Sequence, residues 1–461
     1  MNITSLTFAL FCLTVFFVRI IIGRYTTIYI YALIIFSVSF YAWDVPAYVL
    51  ILLISIVVHY YSGIALTHFT HIWLRKAILT LSICFSIGLL CYYKYLLFLI
   101  DNINRIFNSQ IPITSHLLPI GISFYTFHLI SYSTDIYRRS YNKQKNFTYF
   151  LLYNVFFPHM VAGPIVRADE FMNQISTNSS LHSIKLSTTL EGLYLIIRGL
   201  FFKLVVANHL SVFVNDNWQA ASGSKGSLFM SISVLFFFSG QIYSDFAGYS
   251  DIARGLAYVL GFYFPVNFKA PYIAATFSEF WRRWHITLSK WIRDYLYISI
   301  GGSRKGYHRT YINLLIVMLL CGLWHGASFT FVAWGGLHGA LLCLERLFGM
   351  KYKSKRYKLF WYIFVQCCIL LSWAFFRSRN ISEAFGIIIN LINVDRSFTS
   401  SNLLVGFLFL LPIIGIHVHT YLMDNFVISP SITKKSVYAI AMCYAILTFY
   451  GTNNEFIYFR F

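Results

Sequence analysis

The sequence predicts an all-α, polytopic membrane protein, and three observations predict it. Of 461 residues, 58% are hydrophobic and only 11% charged. Long apolar runs recur from Leu6 to the C-terminus, and the lysines and arginines fall in short clusters between them. A spanning helix needs roughly 20 apolar residues. By that measure the chain carries about 11 to 13 membrane helices, some of them re-entrant or interfacial.

Taken in order, the candidate segments lie near 3–22, 26–42, 45–66, 77–100, 117–136, 147–163, 188–213, 228–262, 310–328, 330–349, 359–376, 402–421 and 436–450. The first has no basic residue before its apolar core, and Arg19 and Arg24 follow the core, so it reads as an uncleaved anchor with its N-terminus outside. The basic clusters "RK" at 75, "YRRSYNKQK", "GGSRKGYHR", "KYKSKRYK" and "KK" at 434 carry the positive-inside signature. Counting outward from them places 101–116, 377–400 and the last ten residues outside, while 164–300 does not resolve by this count. The net charge of +20 therefore points to anionic phospholipid headgroups rather than nucleic acid.

All eight cysteines lie in apolar segments without C-x-x-C spacing, which indicates packing residues and neither a disulfide framework nor a metal site. No linker, low-complexity tract, soluble domain or repeat interrupts the pattern. A single integral membrane domain over 1–461 is expected. Such a chain works within the bilayer or lends a channel to a partner.

The stretch "FWRRWHITLSKWIRDYLYISIGG" differs from the rest. Trp281, Trp284, Leu288, Trp291 and Tyr295 recur at three-then-four spacing, with Arg282, Arg283, Lys290, Arg293 and Asp294 opposite. That pattern predicts a basic amphipathic helix lying in the interface. His285 shares its apolar face and should point toward protein or lipid.

In "LLCGLWHGASF", His325 stands in an otherwise lipid-soluble run. The basic cluster ending at Arg309 belongs at the cytosolic face, and sixteen helical residues rise roughly 24 Å, so His325 should lie past the membrane middle. A charged group there costs about 2.5 to 3.5 kcal/mol by insertion scales, and even a neutral imidazole needs partners. One reading is structural: a hydrogen bond to a neighbouring helix, with Gly322 and Gly326 permitting close approach. The other is catalytic, since an imidazole with an ordinary pKa near 6.5 can accept a proton from a hydroxyl attacking an acyl carbonyl. His338 in the next segment and the Arg282, Arg283 and His285 group favour the second reading. Residue types and spacing leave the two near balance.

The stretches "PHMVAGPIVR" at 158–167, "QIYSDFAGYSDIARGLAYVLGF" at 241–262, "NFKAPYIAATFSEFWRRWHITLSKWIRDYLYISIGGSRKG" at 267–306 and "GLWHGASFTFVAWGGLHGALL" at 322–342 resemble the membrane-bound O-acyltransferases (MBOAT). The likeness is to the bacterial branch that acylates extracytoplasmic polymers by alginate-type or peptidoglycan O-acetylation, and it covers about 90–461. W-R-R-W-H followed by G-L-W-H-G at this separation is a specific pair. The resemblance implies a ring of helices around a thinned centre, with a cytosolic and an external funnel meeting at the catalytic histidine, His325. His285 matches the family's second histidine and would bind or orient the donor. It further implies a location in the bacterial inner membrane, with cytosolic acetyl-CoA as a donor that is a substrate, not a resident cofactor. Trp284, Trp324, Arg282 and Arg283 are then candidate donor-binding residues, the arginines through CoA phosphates or, equally, lipid headgroups.

The tail 451–461 ends in "FIYFRF", where Phe456, Tyr458 and Phe461 form F-x-Y-x-x-F. By composition this is an aromatic belt at the headgroups. Its likeness to a tail motif of the same branch implies instead that Tyr458 carries the acyl group transiently between His325 and an external transferase. A separate SGNH-type accessory protein would then complete transfer to the polysaccharide acceptor.

Weaker signals are set aside. "HTYLMD" matches an H-x-x-x-x-D spacing without the soluble domain that would give it meaning, and four N-x-S/T sequons matter only in a secretory pathway. Asp251 and Arg254, at i,i+3, form a candidate bracing ion pair. Two alternatives to acetyl transfer remain: D-alanyl transfer to teichoic acid from a carrier-protein thioester, and a transporter of a lipid-linked saccharide with histidines along its path.

Overall fold

The computed structural model describes residues 4–112, 117–140, 146–161, 163–177, 185–224, 226–349, 355–394, 402–425 and 432–450. Among these residues every regular element is helical. Among the described residues, five helices are long and apolar enough to cross a membrane: Ala47–His68, Ile72–Phe107, Leu228–Val259, Leu359–Arg377 and Leu403–Leu422. Leu6–Ile22, Thr26–Ala42 and Ile381–Ile392 are apolar but shorter. The chain is thus a multi-pass membrane protein, as its composition predicts. Its backbone contacts divide it into two units, Met1–Ile196 with Ile252–Pro265, and Ile197–Asp251 with Val266–Phe461.

The first unit contains α1 (Leu6–Ile22), α2 (Thr26–Ala42), α3 (Ala47–His68), α4 (Ile72–Leu90), α5 (Leu96–Phe107), α6 (Ile122–Tyr137), α7 (Phe147–Val155), α8 (Phe157–Met160), α9 (Ala168–Thr177) and most of α10 (Leu186–Leu200). A π-helical turn, Cys91–Tyr95, joins α4 to α5. Helix α6 is buried along nearly its whole length, with α3 and α4 packed on it. His59 of α3 ties the three together, its two ring nitrogens lying 2.7 Å from Ser133 of α6 and 2.7 Å from Ser86 of α4. Hydrogen bonds of this kind supply specificity where lipid removes the hydrophobic drive between helices. Arg19 is buried and donates to the carbonyl of Leu260 at 2.7 Å, alongside Tyr29 at 2.9 Å. A cation in α1 therefore meets the carbonyl that closes a helix C-terminus, where its charge is favoured.

The second unit contains α11 (Asn208–Ser222), most of α12 (Leu228–Val259), α13 (Phe277–Arg283), α14 (Ile286–Trp291), α15 (Gly306–His325), α16 (Phe329–Leu347), α17 (Lys355–Arg377), α18 (Ile381–Ile389), α19 (Asn402–Asn425) and α20 (Ile432–Thr448). Between α10 and α11 a π-helical turn, Phe201–Ala207, carries Lys203. Lys203 is buried and pairs with Asp245 of α12 at 2.6 Å. Asp251 pairs with Arg198 at 2.7 Å. Close approach explains both pairs: a Cβ on Gly248 of α12 would lie 2.7 Å from the carbonyl oxygen of Gly199. The eight cysteines are unpaired, and Cys321 alone of them is fully buried, so packing describes that one better than the rest.

Candidate functional site

The site begins with two adjacent helices, α15 and α16, that meet through glycine. A Cβ on Gly322 would collide with the carbonyl oxygen of Phe331, one on Gly335 with that of Met318, and one on Gly339 would lie 3.2 Å from the Cα of Leu315. Three small residues thus let two backbones touch, as the sequence around Gly322 suggests. Gly326 then breaks α15 with extended backbone (φ −165°, ψ 150°), its missing side chain replaced by the ring of Phe331. His325 is the last residue of α15, and Ser328 restarts the chain as α16 by accepting from the N–H of Thr330.

His325 is 3% exposed. Its ring centre lies 5.1 Å from Trp334 at an interplanar angle of 87°, 5.3 Å from Phe376 and 4.9 Å from Trp324. Edge-on contact is a preferred arrangement of paired rings. Trp334 also contacts His338 at 4.8 Å, and Trp281 closes on both at 5.8 Å and 5.2 Å. His338 lies 3.1 Å from the Ser372 hydroxyl. That hydroxyl donates to the carbonyl of Ile369, so it accepts from Nε2–H of His338, which fixes the tautomer.

The segment expected as one amphipathic helix is broken. Helix α13 ends at Arg283, Trp284 is extended, and His285 adopts the left-handed conformation (φ 41°, ψ 55°) before α14 begins. Asn267 is the physical reason. Its carbonyl accepts from Ile286 N–H at 2.9 Å, and its side-chain oxygen accepts from the Thr287 N–H and hydroxyl at 3.2 Å and 2.9 Å. The backbone groups that a continuous helix would pair internally are satisfied from outside. At the other end Thr276 caps α13 by accepting from the Glu279 N–H, and the Glu279 carboxylate accepts from the Ala275 N–H just before it.

The break turns His285 inward. It is fully buried, 4.6 Å from Phe246 of α12 and 6.2 Å from Trp324, and neither ring nitrogen has a hydrogen-bond partner among the described residues. Trp324 therefore touches both histidines that the sequence singled out. Trp284 is 1% exposed, and its ring lies 5.2 Å from Trp373. Of the two arginines, Arg283 is committed to Glu279 at 2.9 Å and to the carbonyl of Lys269 at 3.2 Å, whereas Arg282 is exposed. Tyr458 lies outside the described residues.

Sequence reasoning missed Phe246, Phe376, Trp373 and Ser372, which complete the walls. Nothing in their local spacing marks them, because each comes from a helix distant in sequence. In the first unit it also missed the ring contact of His128 with His159 at 4.7 Å, although "PHMVAGPIVR" contains one partner.

Residues 137–376, which include every residue of this aromatic chamber, match the MBOAT, membrane-bound O-acyltransferase family. The chain belongs to the membrane-bound O-acyltransferase family. Among its relatives are a probable alginate O-acetylase AlgI of Pseudomonas putida, 39% identical over 66% of this chain and 62% of the relative. Another, of Pseudomonas aeruginosa, is 36% identical over 77% of this chain and 68% of the relative. A peptidoglycan O-acetyltransferase of Helicobacter pylori is 31% identical over 79% and 73%. The match thus spans under two thirds of the Pseudomonas putida protein. Within this MBOAT chain the paired glycines of α15 and α16 and the broken α13–α14 helix are what bring the two histidines to one indole.

Proposed function

We propose that the chain transfers an acetyl group from acetyl-CoA toward hydroxyls of an extracytoplasmic polysaccharide, as its likeness to the alginate and peptidoglycan relatives suggests. The observation that carries this reading is the placement of His325 and His285 against Trp324, buried where water is scarce. His325 takes the proton of the attacking hydroxyl as its oxygen forms a bond to the thioester carbonyl. The tetrahedral intermediate collapses with cleavage of the carbon–sulfur bond, and the proton passes to the departing thiolate, giving ester and CoA. His285 orients the donor carbonyl, and Trp284 and Trp324 wall the thioester. Arg282, exposed, meets CoA phosphate. Arg283 acts through Glu279 to hold α13.

The enzyme works in the bacterial inner membrane, and an SGNH-type accessory protein receives the acetyl group outside, with Tyr458 as the relay. The test is incubation of purified protein with radiolabelled acetyl-CoA, wild type beside His325→Ala and Tyr458→Phe. Release of CoA that depends on His325 supports the reading, and label on the protein that needs Tyr458 supports the relay. Absence of turnover with the partner present refutes acetyl-CoA as donor and favours a carrier-protein thioester or transport.

A further inference from the structure

The second unit contains a cavity of about 500 Å³ between α12, residues 271–273, α17 and α19, which shares the Trp373 wall with the chamber around His325 but lies on the other side of it from that histidine's helix, α15. Its volume is that of a small-molecule site. The rim is apolar and outward-facing: Phe236, Ile363, Ile414 and Val418 line it and are 40%, 51%, 49% and 51% exposed. Helices α17 and α19 are both among those apolar enough to cross a membrane. The mouth therefore opens to hydrocarbon, not water, and what enters it comes from the bilayer.

Several polar groups of the interior are already bonded to backbone carbonyls. The Ser239 hydroxyl donates to the carbonyl of Phe236, Tyr272 to that of Ser239, and the Gln366 amide to that of Ala274. Each of these bonds uses one hydrogen, and the Gln366 amide keeps a second N–H. His417 is 6% exposed, stacks on Tyr272 at 5.5 Å, and has its Nδ1 2.8 Å from the carbonyl of Ile413. A carbonyl can only accept, so Nδ1 carries the ring proton, and Nε2 is left as a bare acceptor with no partner among the described residues. An unmatched buried acceptor is costly, and a ligand donor would relieve it.

We propose that this cavity binds a hydroxyl-bearing membrane lipid, its alkyl chain in the apolar mouth and its hydroxyl donating to Nε2 of His417. The inference is independent of the acyl-transfer reading. It is tested by photolabelling the full chain, in vesicles of phosphatidylethanolamine and phosphatidylglycerol, with a long-chain primary alcohol carrying a diazirine, beside the methyl ether of the same probe. The expected result is about tenfold more label from the alcohol on peptides of α17 and α19, the size of one buried hydrogen bond. Ile414→Trp, at the exposed rim, should remove that excess, and His417→Phe should make alcohol and ether equal. Equal labelling by the two probes in the wild-type protein overturns the proposal, meaning that a bare chain with trapped water fills the cavity. So does an excess that survives Ile414→Trp, or label spread equally over the outward face of α4 at Leu81.

Discussion

Gly322 and Gly335 face each other so closely that a Cβ built on either would lie 3.2 Å from the Cα of the other. Each added methyl would also meet a backbone carbonyl, which cannot rotate away. Gly322→Ala or Gly335→Ala should therefore lower stability by about 1–3 kcal/mol and shift His325. Gly336→Ala, whose nearest neighbour is the Leu319 side chain at 3.3 Å, serves as the mild control. Thermal unfolding in detergent and acetyl-CoA turnover read the two effects.

His325→Ala and His325→Asn should leave the unfolding temperature near wild type and lower turnover by about 10²- to 10⁴-fold, the usual worth of a general base. Comparable turnover in either variant would remove His325 from the reaction.

His285 combines a left-handed backbone with a buried ring, and the two can be separated. Asn and Gly tolerate this conformation, while a β-branched residue is strained there by about 1–3 kcal/mol. His285→Asn should fold and lose turnover, and His285→Val should also lose stability. Full turnover in a folded His285→Asn protein would make the imidazole a packing group.

Asn267 holds the break open, so Asn267→Ala should cost about 1–3 kcal/mol by leaving the Thr287 N–H and hydroxyl unmatched. Asn267→Asp keeps the accepting oxygen but loses the 3.2 Å bond from its amide to Ser250. It should therefore fall between wild type and Asn267→Ala in unfolding temperature.

Lys203 and Asp245 form a buried pair at 2.6 Å. Lys203→Met alone should destabilise by about 3–5 kcal/mol by stranding the carboxylate, and the double variant Lys203→Met with Asp245→Leu should recover most of that loss. A double variant no better than the single one would mean that the pair does more than neutralise charge.

The apolar runs of this chain were enough to declare a multi-pass helical protein, because a bilayer leaves helix as the route for a long apolar segment to satisfy its own backbone. Local spacing likewise marked His325, His285 and the glycines beside them, since i,i+3 and i,i+4 neighbours are set by helix geometry. It misread residues 280–302 as one helix: the interruption at Trp284 and His285 depends on Asn267, which precedes them by more than fifteen residues and takes the N–H groups of Ile286 and Thr287 just after them. No periodicity can report a hydrogen bond made across such a gap. The same holds for the walls around His325 and for the pairing of Lys203 with Asp245, where helices remote in sequence bring the partners together. Sequence alone thus determined which segments are helical and which residue types could do chemistry. Which of those residues share a wall was decided by tertiary packing, through glycine contacts and external hydrogen bonds that act at a distance along the chain.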